Sequence, residues 1–205
     1  VRADRFTVRL RLLPLLGGKV VIGCEARIGG GKVTAEVPLV GGGKMTADIK
    51  NLRLEDVPFF PSVTGAKVQG GLTAQATLRG QANAAAGELK LEVKAAEVSG
   101  VKIGGLPLPD ATYRTVQGML RASGGKVVLE SFTLDGEGLY VRLKGDFPLT
   151  IPVSAAPLNL TLELMPKPDF LDRQKFVFLL LTKYVTSPGH YEIPVRGTLG
   201  KPAVF

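Results

Sequence analysis

The sequence has one cysteine, one histidine and no tryptophan in 205 residues. Cys24 has no second thiol for a disulfide or a zinc site, so we interpret it as a small buried apolar residue. His190 stands alone where a strand is predicted to start, and such a histidine is usually a surface residue. The motifs G-x-S-x-G, H-E-x-x-H and C-x-x-C are absent. The sequence therefore predicts a non-enzymatic protein, without catalytic residues, cofactor or metal site.

Long apolar runs are also missing. The longest uncharged run contains Pro148 to Leu162 and is interrupted by Pro152 and Pro157. It falls short of the roughly 20 apolar residues that a membrane-spanning helix needs. The sequence begins at Val1 without an initiator methionine, so we expect the native N terminus, and with it a signal or anchor segment, to lie upstream.

The basic surplus is not concentrated in any one stretch. The net charge is +8 and aromatic residues make up only 6% of the chain, which leaves few stacking platforms for nucleic acid bases. No nucleic acid partner is expected. The charge predicts a weak attraction to anionic surfaces such as lipid headgroups or acidic proteins.

What the sequence has in abundance is turns between short alternating segments. Its 26 glycines and 14 prolines are spread along the chain, and apolar and polar residues alternate with period two in many segments, as in half-buried strands. Clear examples are Phe6–Leu12, Leu72–Leu78, Leu89–Ala95, Leu139–Leu143 and Leu158–Leu164. We predict ten to twelve strands by this pattern, in a single β domain over residues 1–205.

A Gly-Gly-Lys unit followed by an apolar residue occurs four times, at Gly17–Val20, Gly30–Val33, Gly42–Met45 and Gly124–Val127. Glycine permits the positive φ of a tight hairpin turn, so these units predict sequential antiparallel hairpins. A phosphate-binding loop is disfavoured because Val33 and Met45 stand where it needs serine or threonine.

Two segments break the alternation. Residues Leu52 to Val63 carry Phe59 and Phe60 between prolines and predict a short helical crossing over the sheet. Residues Asp169 to Ser187 contain no glycine or proline and predict one amphipathic helix packed on the apolar face of the sheet. Its core-facing stripe is Phe170, Leu171, Val177, Phe178, Leu181, Tyr184 and Val185.

The same helix has a second apolar edge formed by Phe176, Leu179 and Leu180. If these side chains are exposed, they are the candidate contact for a partner or a lipid. Five charged residues surround the uncharged run Phe176 to Thr182, so the helix is not expected to span a bilayer. The alternative to packing on the sheet is a helix that lies in the membrane surface.

The order of the later segments resembles a known family. These segments are "GLTAQATLRGQANAAAGELKLEVKAAEVSG", "FTLDGEGLYVRLKGDFPL", "LNLTLELMPKPDF", the predicted helix and "GHYEIPVRGTLGKPAVF". Together, over roughly Leu72 to Phe205, they resemble the periplasmic part of type II secretion system protein N, also called general secretion pathway protein N. The most specific match is the finish, with Tyr191, Ile193, Pro194, Gly197, Thr198, Leu199 and Pro202.

The resemblance implies a periplasmic domain of an inner-membrane-anchored protein in Gram-negative bacteria, whose partners are other type II secretion components. The repeated order of strand, glycine turn and strand also resembles lipid-bridging proteins of the AsmA and TamB type, in which a curved sheet forms a trough with an apolar inside. The fold expected is therefore mainly β: a strongly curved antiparallel meander, as a trough, half-barrel or sandwich, with one C-terminal helix on its apolar face.

Two functions remain open from the sequence. The first is an interaction module of the secretion pathway that contacts other subunits through sheet edges or its basic face. The second is a carrier of lipid or another hydrophobic ligand, because one helix cannot cover the apolar face of a sheet of ten strands. A closed apolar face favours the first function, and an open groove favours the second.

Overall fold

The computed structural model describes residues 5–11, 20–28, 30–40, 43–57, 62, 65–80 and 86–204. It confirms the predicted class: the chain is mainly β, with one large antiparallel sheet that does not close and two short C-terminal helices. Phe59 and Phe60, and most of the first Gly-Gly-Lys unit, lie outside the described residues.

The described residues form fifteen strands and two α-helices. The strands are β1 Arg5–Arg11, β2 Val20–Ile28, β3 Gly31–Val40, β4 Lys44–Arg53, β5 Lys67–Arg79, β6 Ala86–Ser99, β7 Lys102–Ile103, β8 Leu106–Pro107, β9 Ala111–Ser123, β10 Lys126–Gly136, β11 Leu139–Pro148, β12 Asn159–Pro166, β13 Val185–Ser187, β14 His190–Thr198 and β15 Lys201–Val204. The helices are α1 Pro168–Arg173 and α2 Lys175–Leu180. Single 3₁₀ turns occur at Leu54–Asp56, Val153–Ala155 and Thr182–Tyr184.

Thirteen of these strands form one sheet in the order β1-β2-β3-β4-β5-β6-β9-β10-β11-β12-β14, with β13 and β15 both paired to the far edge of β14. Every pair is antiparallel, and neighbours in the sheet are mostly neighbours in sequence, so the predicted meander is confirmed. The small hairpin β7–β8 forms a separate two-stranded sheet and follows β6 and precedes β9 in the sequence. The β9–β10 turn contains Gly124 and Gly125 at φ 59° and 74°, as the Gly-Gly-Lys unit predicts.

The strand register places the apolar residues of the sheet on one continuous face. Residues directly opposite each other in antiparallel strands point to the same side, so a row of paired residues shares a face. One such row crosses eight strands from β4 to β14. Its members are Leu52, Leu72, Val93, Val116, Leu134, Val141, Leu164 and Tyr191.

The two halves of this face differ in burial. From β6 onward, which we call the closed half, the sheet wraps around a core whose buried members include Val93, Val116, Val127, Leu129, Leu139, Val141, Phe147, Leu160, Leu162, Leu164, Ile193 and Val195. From β1 to β5, which we call the open half, Leu52 and Ala74 are the only buried apolar strand residues among those whose burial the structure describes. The sheet is therefore a trough that is closed at one end of the strand order and open at the other.

Three contacts show how far the closed half curls. A Cβ atom at Gly104, in the β7–β8 turn, would lie 3.1 Å from the backbone nitrogen of Val204, so this hairpin reaches from β6 across to β15. At the same end of the sheet, Gly138 leaves room for the ring of Phe170, which a Cβ atom there would meet at 2.5 Å. Gln174 Nε2 donates a hydrogen bond of 3.1 Å to the carbonyl oxygen of Asp110, which ties the helices to the start of β9.

The predicted single helix is two helices. The chain leaves the helical conformation at Gln174 (φ −107°, ψ 24°), and residues 185–187 form β13. Phe170, Phe178, Leu181 and Tyr184 are buried as predicted, and Leu171 and Val177 are half-buried. Val185 was wrongly assigned to the stripe: it is 43% exposed, because the helix has ended before it.

Irregular residues fall at one level of neighbouring strands and bend the sheet. Register shifts occur in β4 between Ile49 and Leu52, in β5 between Gln69 and Gly71, and in β10 between Asp135 and Gly136. In β6, Ala95 has φ 49° and is skipped in the pairing with β9. Because a β-bulge bends its strand and increases its twist, a row of them across adjacent strands supports the curvature of the trough.

Candidate functional site

The apolar side of the open half is a candidate binding surface. The residues of β1 to β4 on the apolar side of the sheet, which we call the open apolar face, are Val8, Ile22, Cys24, Ala26, Val33, Ala35, Val37, Met45, Ala47 and Ile49. Val8 is 53% exposed and the others are half-buried. Within the described residues, none of them belongs to the buried core or packs against it. The prediction that Cys24 is buried is wrong, because its side chain is only half-buried.

A row of small side chains crosses this face. Cys24 pairs with Ala35, Ala35 with Ala47, and Ala47 with Ala76. We call these four residues the small-residue row. In the next strand the row meets Leu89 and continues as Leu120 and Leu129 in the closed half. The side chains are thus small where the trough is open and large where it is closed.

Larger side chains flank the small-residue row on both sides. Ile22 and Val37 pair on one side of the row, and Val33 and Ile49 pair on the other. The result is a shallow apolar channel that runs across the strands from β2 to β5. With strands about 4.8 Å apart, the channel is about 14 Å long. Its floor has no charged residue, so it is suited to an extended hydrocarbon chain.

The opposite face of the open half is charged and wet. Glu25 lies 3.1 Å from Lys32 in the neighbouring strand, and this hydrogen bond lowers the pKa of the Glu25 carboxyl. Both side chains are exposed, so the pair contributes little to stability. In such a solvated ion pair no carboxyl is held in the protonated form that a general acid needs at neutral pH.

In the closed half, one carboxylate on the outer face is buried. Glu163 of β12 is 1% exposed because the side chains of Arg142 and Lys144, from β11, lie over it. Arg142 Nε donates a hydrogen bond of 2.6 Å to Glu163 Oε2, and Lys144 pairs with Oε1. The hydrogen bond from Arg142 is the main cause that lowers the pKa of Glu163 to about 2, while desolvation opposes it. Glu163 thus lies on the outer side of the sheet without being exposed to solvent.

Glu163, His190 and Glu192 come together at this place, with one potential ligand atom of each within 4.8 Å of the others. His190 Nε2 lies 3.3 Å from Glu192 Oε1. A metal ion here would have to displace Arg142 or Lys144 from Glu163, since both cations already occupy that carboxylate. The donor set therefore fits a structural ion-pair cluster better than a metal centre or an acid–base pair.

The candidate contact residues of the predicted helix lie on α2. Phe176 is 85% exposed, Leu179 59% and Leu180 57%. The condition set by the sequence, that these side chains be exposed, is met, and their role as a contact stays a prediction. They lie at the end of the closed half, away from the open apolar face.

Comparisons of the chain with protein-family models, curated proteins and solved structures found no match. In the part of the chain that the structure describes, no helix reaches the length and apolarity of a bilayer span.

Proposed function

We propose that the protein is a non-enzymatic binding domain that carries an acyl chain of a lipid, or a ligand of similar shape, on its open apolar face. The observation that carries this proposal is the channel over the small-residue row. Burial of one methylene group contributes about 0.8 kcal/mol, so even part of an acyl chain laid along the channel supplies useful affinity. The opposite, charged face remains in water.

The exposure of the open apolar face favours the view that a ligand normally covers it. Soluble proteins rarely leave a contiguous apolar patch of this kind without an occupant. In the closed half, the apolar side chains of the same alternating pattern are covered by the curled sheet and by the helices. In the open half, the residues of the open apolar face receive no such cover from the described residues.

A lysine placed in the channel is expected to weaken acyl-chain binding at least tenfold. Ala47 lies in the middle of the small-residue row, and its replacement by lysine puts a charge where the ligand lies, at a desolvation cost well above the 1.4 kcal/mol of a tenfold change. The measurement is titration of purified protein with cis-parinaric acid, whose fluorescence rises in an apolar site. Mass spectrometry of organic extracts then identifies any lipid retained from the cell.

The matched control is Thr46→Lys. Thr46 is the neighbouring residue of β4, it points to the charged face, and it pairs with Glu36, so a lysine there is tolerated. Binding by the Thr46→Lys protein should equal that of the unmodified chain. If neither protein binds the probe and the extracts contain no lipid, the ligand proposal is wrong.

A second candidate is an interaction module of the type II secretion pathway, in the periplasm and anchored to the inner membrane. The edge strand β1 favours it. Seven residues, Arg5–Arg11, pair with β2 on one side, and no described strand pairs with the other side. Such an edge can accept a strand from another protein. At the other end of the sheet, β14 is protected by β13, β15 and Pro194, which cannot donate a backbone hydrogen bond.

A photo-crosslinking amino acid at Arg9, which is exposed on β1, tests this candidate in cells. We expect adducts with secretion subunits, and fewer adducts from the same amino acid at Glu130, an exposed residue of the interior strand β10. Equal labelling from both positions, or none from Arg9, would contradict a role for the β1 edge.

A further inference from the structure

Helix α2 has apolar residues on two sides. One side packs on the core, and the other is exposed to solvent. Phe178 and the adjacent Leu181 are 3% and 0% exposed, whereas Phe176, Leu179 and Leu180 are 85%, 59% and 57% exposed. We call the latter three residues the α2 tip. Phe176 and Leu180 are four positions apart and therefore lie on the same side of the helix. The core thus uses only one side of α2.

The α2 tip is held in place by the buried side of the helix. The ring of Phe178 lies 6.2 Å from that of Phe170 in an edge-to-face arrangement and 5.1 Å from that of Tyr191. Gln174, just before α2, donates its hydrogen bond to Asp110. Because the helix is already formed and docked, binding through the tip requires little ordering of the backbone.

The charged residues of the segment that carries the tip are all basic. From Arg173 to Tyr191 the sequence contains no acidic residue, and the cations Arg173, Lys175 and Lys183 are all exposed. Lys183 Nζ lies 4.7 Å from the centre of the Tyr184 ring, next to the tip. The acidic residues nearest in sequence, Asp169 and Asp172, lie on α1. The tip is therefore an apolar patch whose own segment, from Arg173 to Tyr191, adds only positive charge.

We propose that the α2 tip inserts into the surface of a bilayer that contains anionic lipids. Interfacial amphipathic helices bury their apolar side about 5–10 Å into the boundary between headgroups and acyl chains, and basic residues beside them are attracted to anionic headgroups. A protein partner fits less well, since three side chains fall far short of the roughly 800 Å² per partner of a standard interface. This inference does not depend on what occupies the open apolar face.

The absence of tryptophan makes a direct test possible. In the Phe176→Trp variant, the indole is the sole tryptophan and reports on its own surroundings. With vesicles of phosphatidylcholine and phosphatidylglycerol we expect its emission to shift to the blue and to be quenched by brominated lipids. With phosphatidylcholine alone, binding should be at least tenfold weaker. Each lysine replaced by glutamine, at 175 or 183, should weaken binding to the anionic vesicles about fivefold.

Ile151→Trp is the matched control. Ile151 is 96% exposed but precedes β12, whereas the helices follow the other end of that strand, so its tryptophan should stay in water. Binding that survives in a Phe176→Ser, Leu180→Ser double variant would place the membrane contact elsewhere and overturn the proposal. A Phe176→Trp emission that anionic vesicles leave unchanged would also overturn it and would direct attention to a protein partner.

Discussion

Replacement of Leu181 by alanine should lower the free energy of unfolding by about 3 kcal/mol, the usual cost of removing a fully buried leucine side chain. Leu181 is 0% exposed and belongs to the core that joins the helices to the closed half of the sheet. The measurement is urea unfolding followed by circular dichroism, with the midpoint shift taken at constant slope.

The neighbouring leucine is the control. Leu180 is 57% exposed, so Leu180→Ala should change the free energy of unfolding by no more than about 0.5 kcal/mol. Equal effects of the two substitutions would mean that this segment does not dock on the core with the side that the structure gives it. The same pair therefore also supports the assignment of Leu180 to the α2 tip.

Replacement of Glu163 by glutamine should lower the free energy of unfolding by about 2–3 kcal/mol at pH 7, because it removes the partner of two cations from a buried position. The folded-state pKa of Glu163 is lowered from 4.5 to about 2. Its contribution is therefore fully present above about pH 4.5 and is lost as the pH falls towards 2. The difference between the two proteins should shrink by roughly half or more between pH 7 and pH 3.

Glu88 provides the control for this substitution. It pairs with Arg121 at 3.4 Å on the solvated face, where its side chain is 42% exposed, so Glu88→Gln should cost less than about 1 kcal/mol. A loss at Glu163 that does not change between pH 7 and pH 3 would show that packing, and not the ion pairs, explains its effect.

Much of the fold could be predicted from the sequence because the patterns that determine strands and turns are local. Alternation with period two predicted the strands, and the Gly-Gly-Lys units predicted the hairpins that join them. In a meander, successive hairpins also determine the neighbours of each strand. The buried stripe at Phe170, Phe178, Leu181 and Tyr184 was predicted by the same reasoning, since a helix exposes residues with a period of 3.6.

Other features depended on distant parts of the chain. The alternation in β2 and β3 resembles that in β11 and β12. Within the described residues only β11 and β12 are covered, because the β7–β8 hairpin and the two helices close that end of the trough. The break between the two helices at Gln174 is not marked by a glycine or proline in the sequence. The Gln174 side chain donates its hydrogen bond to the carbonyl oxygen of Asp110, 64 positions away. Glu163 is buried by side chains of a neighbouring strand, which the pattern of β12 alone does not reveal.

The small-residue row also escaped sequence reasoning, although its signal was present. Cys24, Ala35, Ala47 and Ala76 are each unremarkable within their own strands. They form a channel only when the hairpin registers place them opposite one another. Part of the signal is visible in the sequence, since Ala35 and Ala47 each lie three residues after the lysine of a Gly-Gly-Lys unit.

The central claim, that the trough is open over β1 to β5 and closed from β6 onward, is tested most directly by the reactivity of thiols in the folded protein. Cys24 is the sole cysteine and lies in the small-residue row, so its labelling by N-ethylmaleimide can be followed by mass spectrometry without any substitution. A Cys24→Ala, Leu162→Cys variant moves the thiol to the closed half, where Leu162 is 8% exposed. We predict that Cys24 reacts under native conditions and is protected by oleic acid, whereas the thiol at position 162 reacts only on unfolding. A Cys24 thiol that stays unreactive until the protein unfolds, without added ligand or retained lipid, would contradict the account.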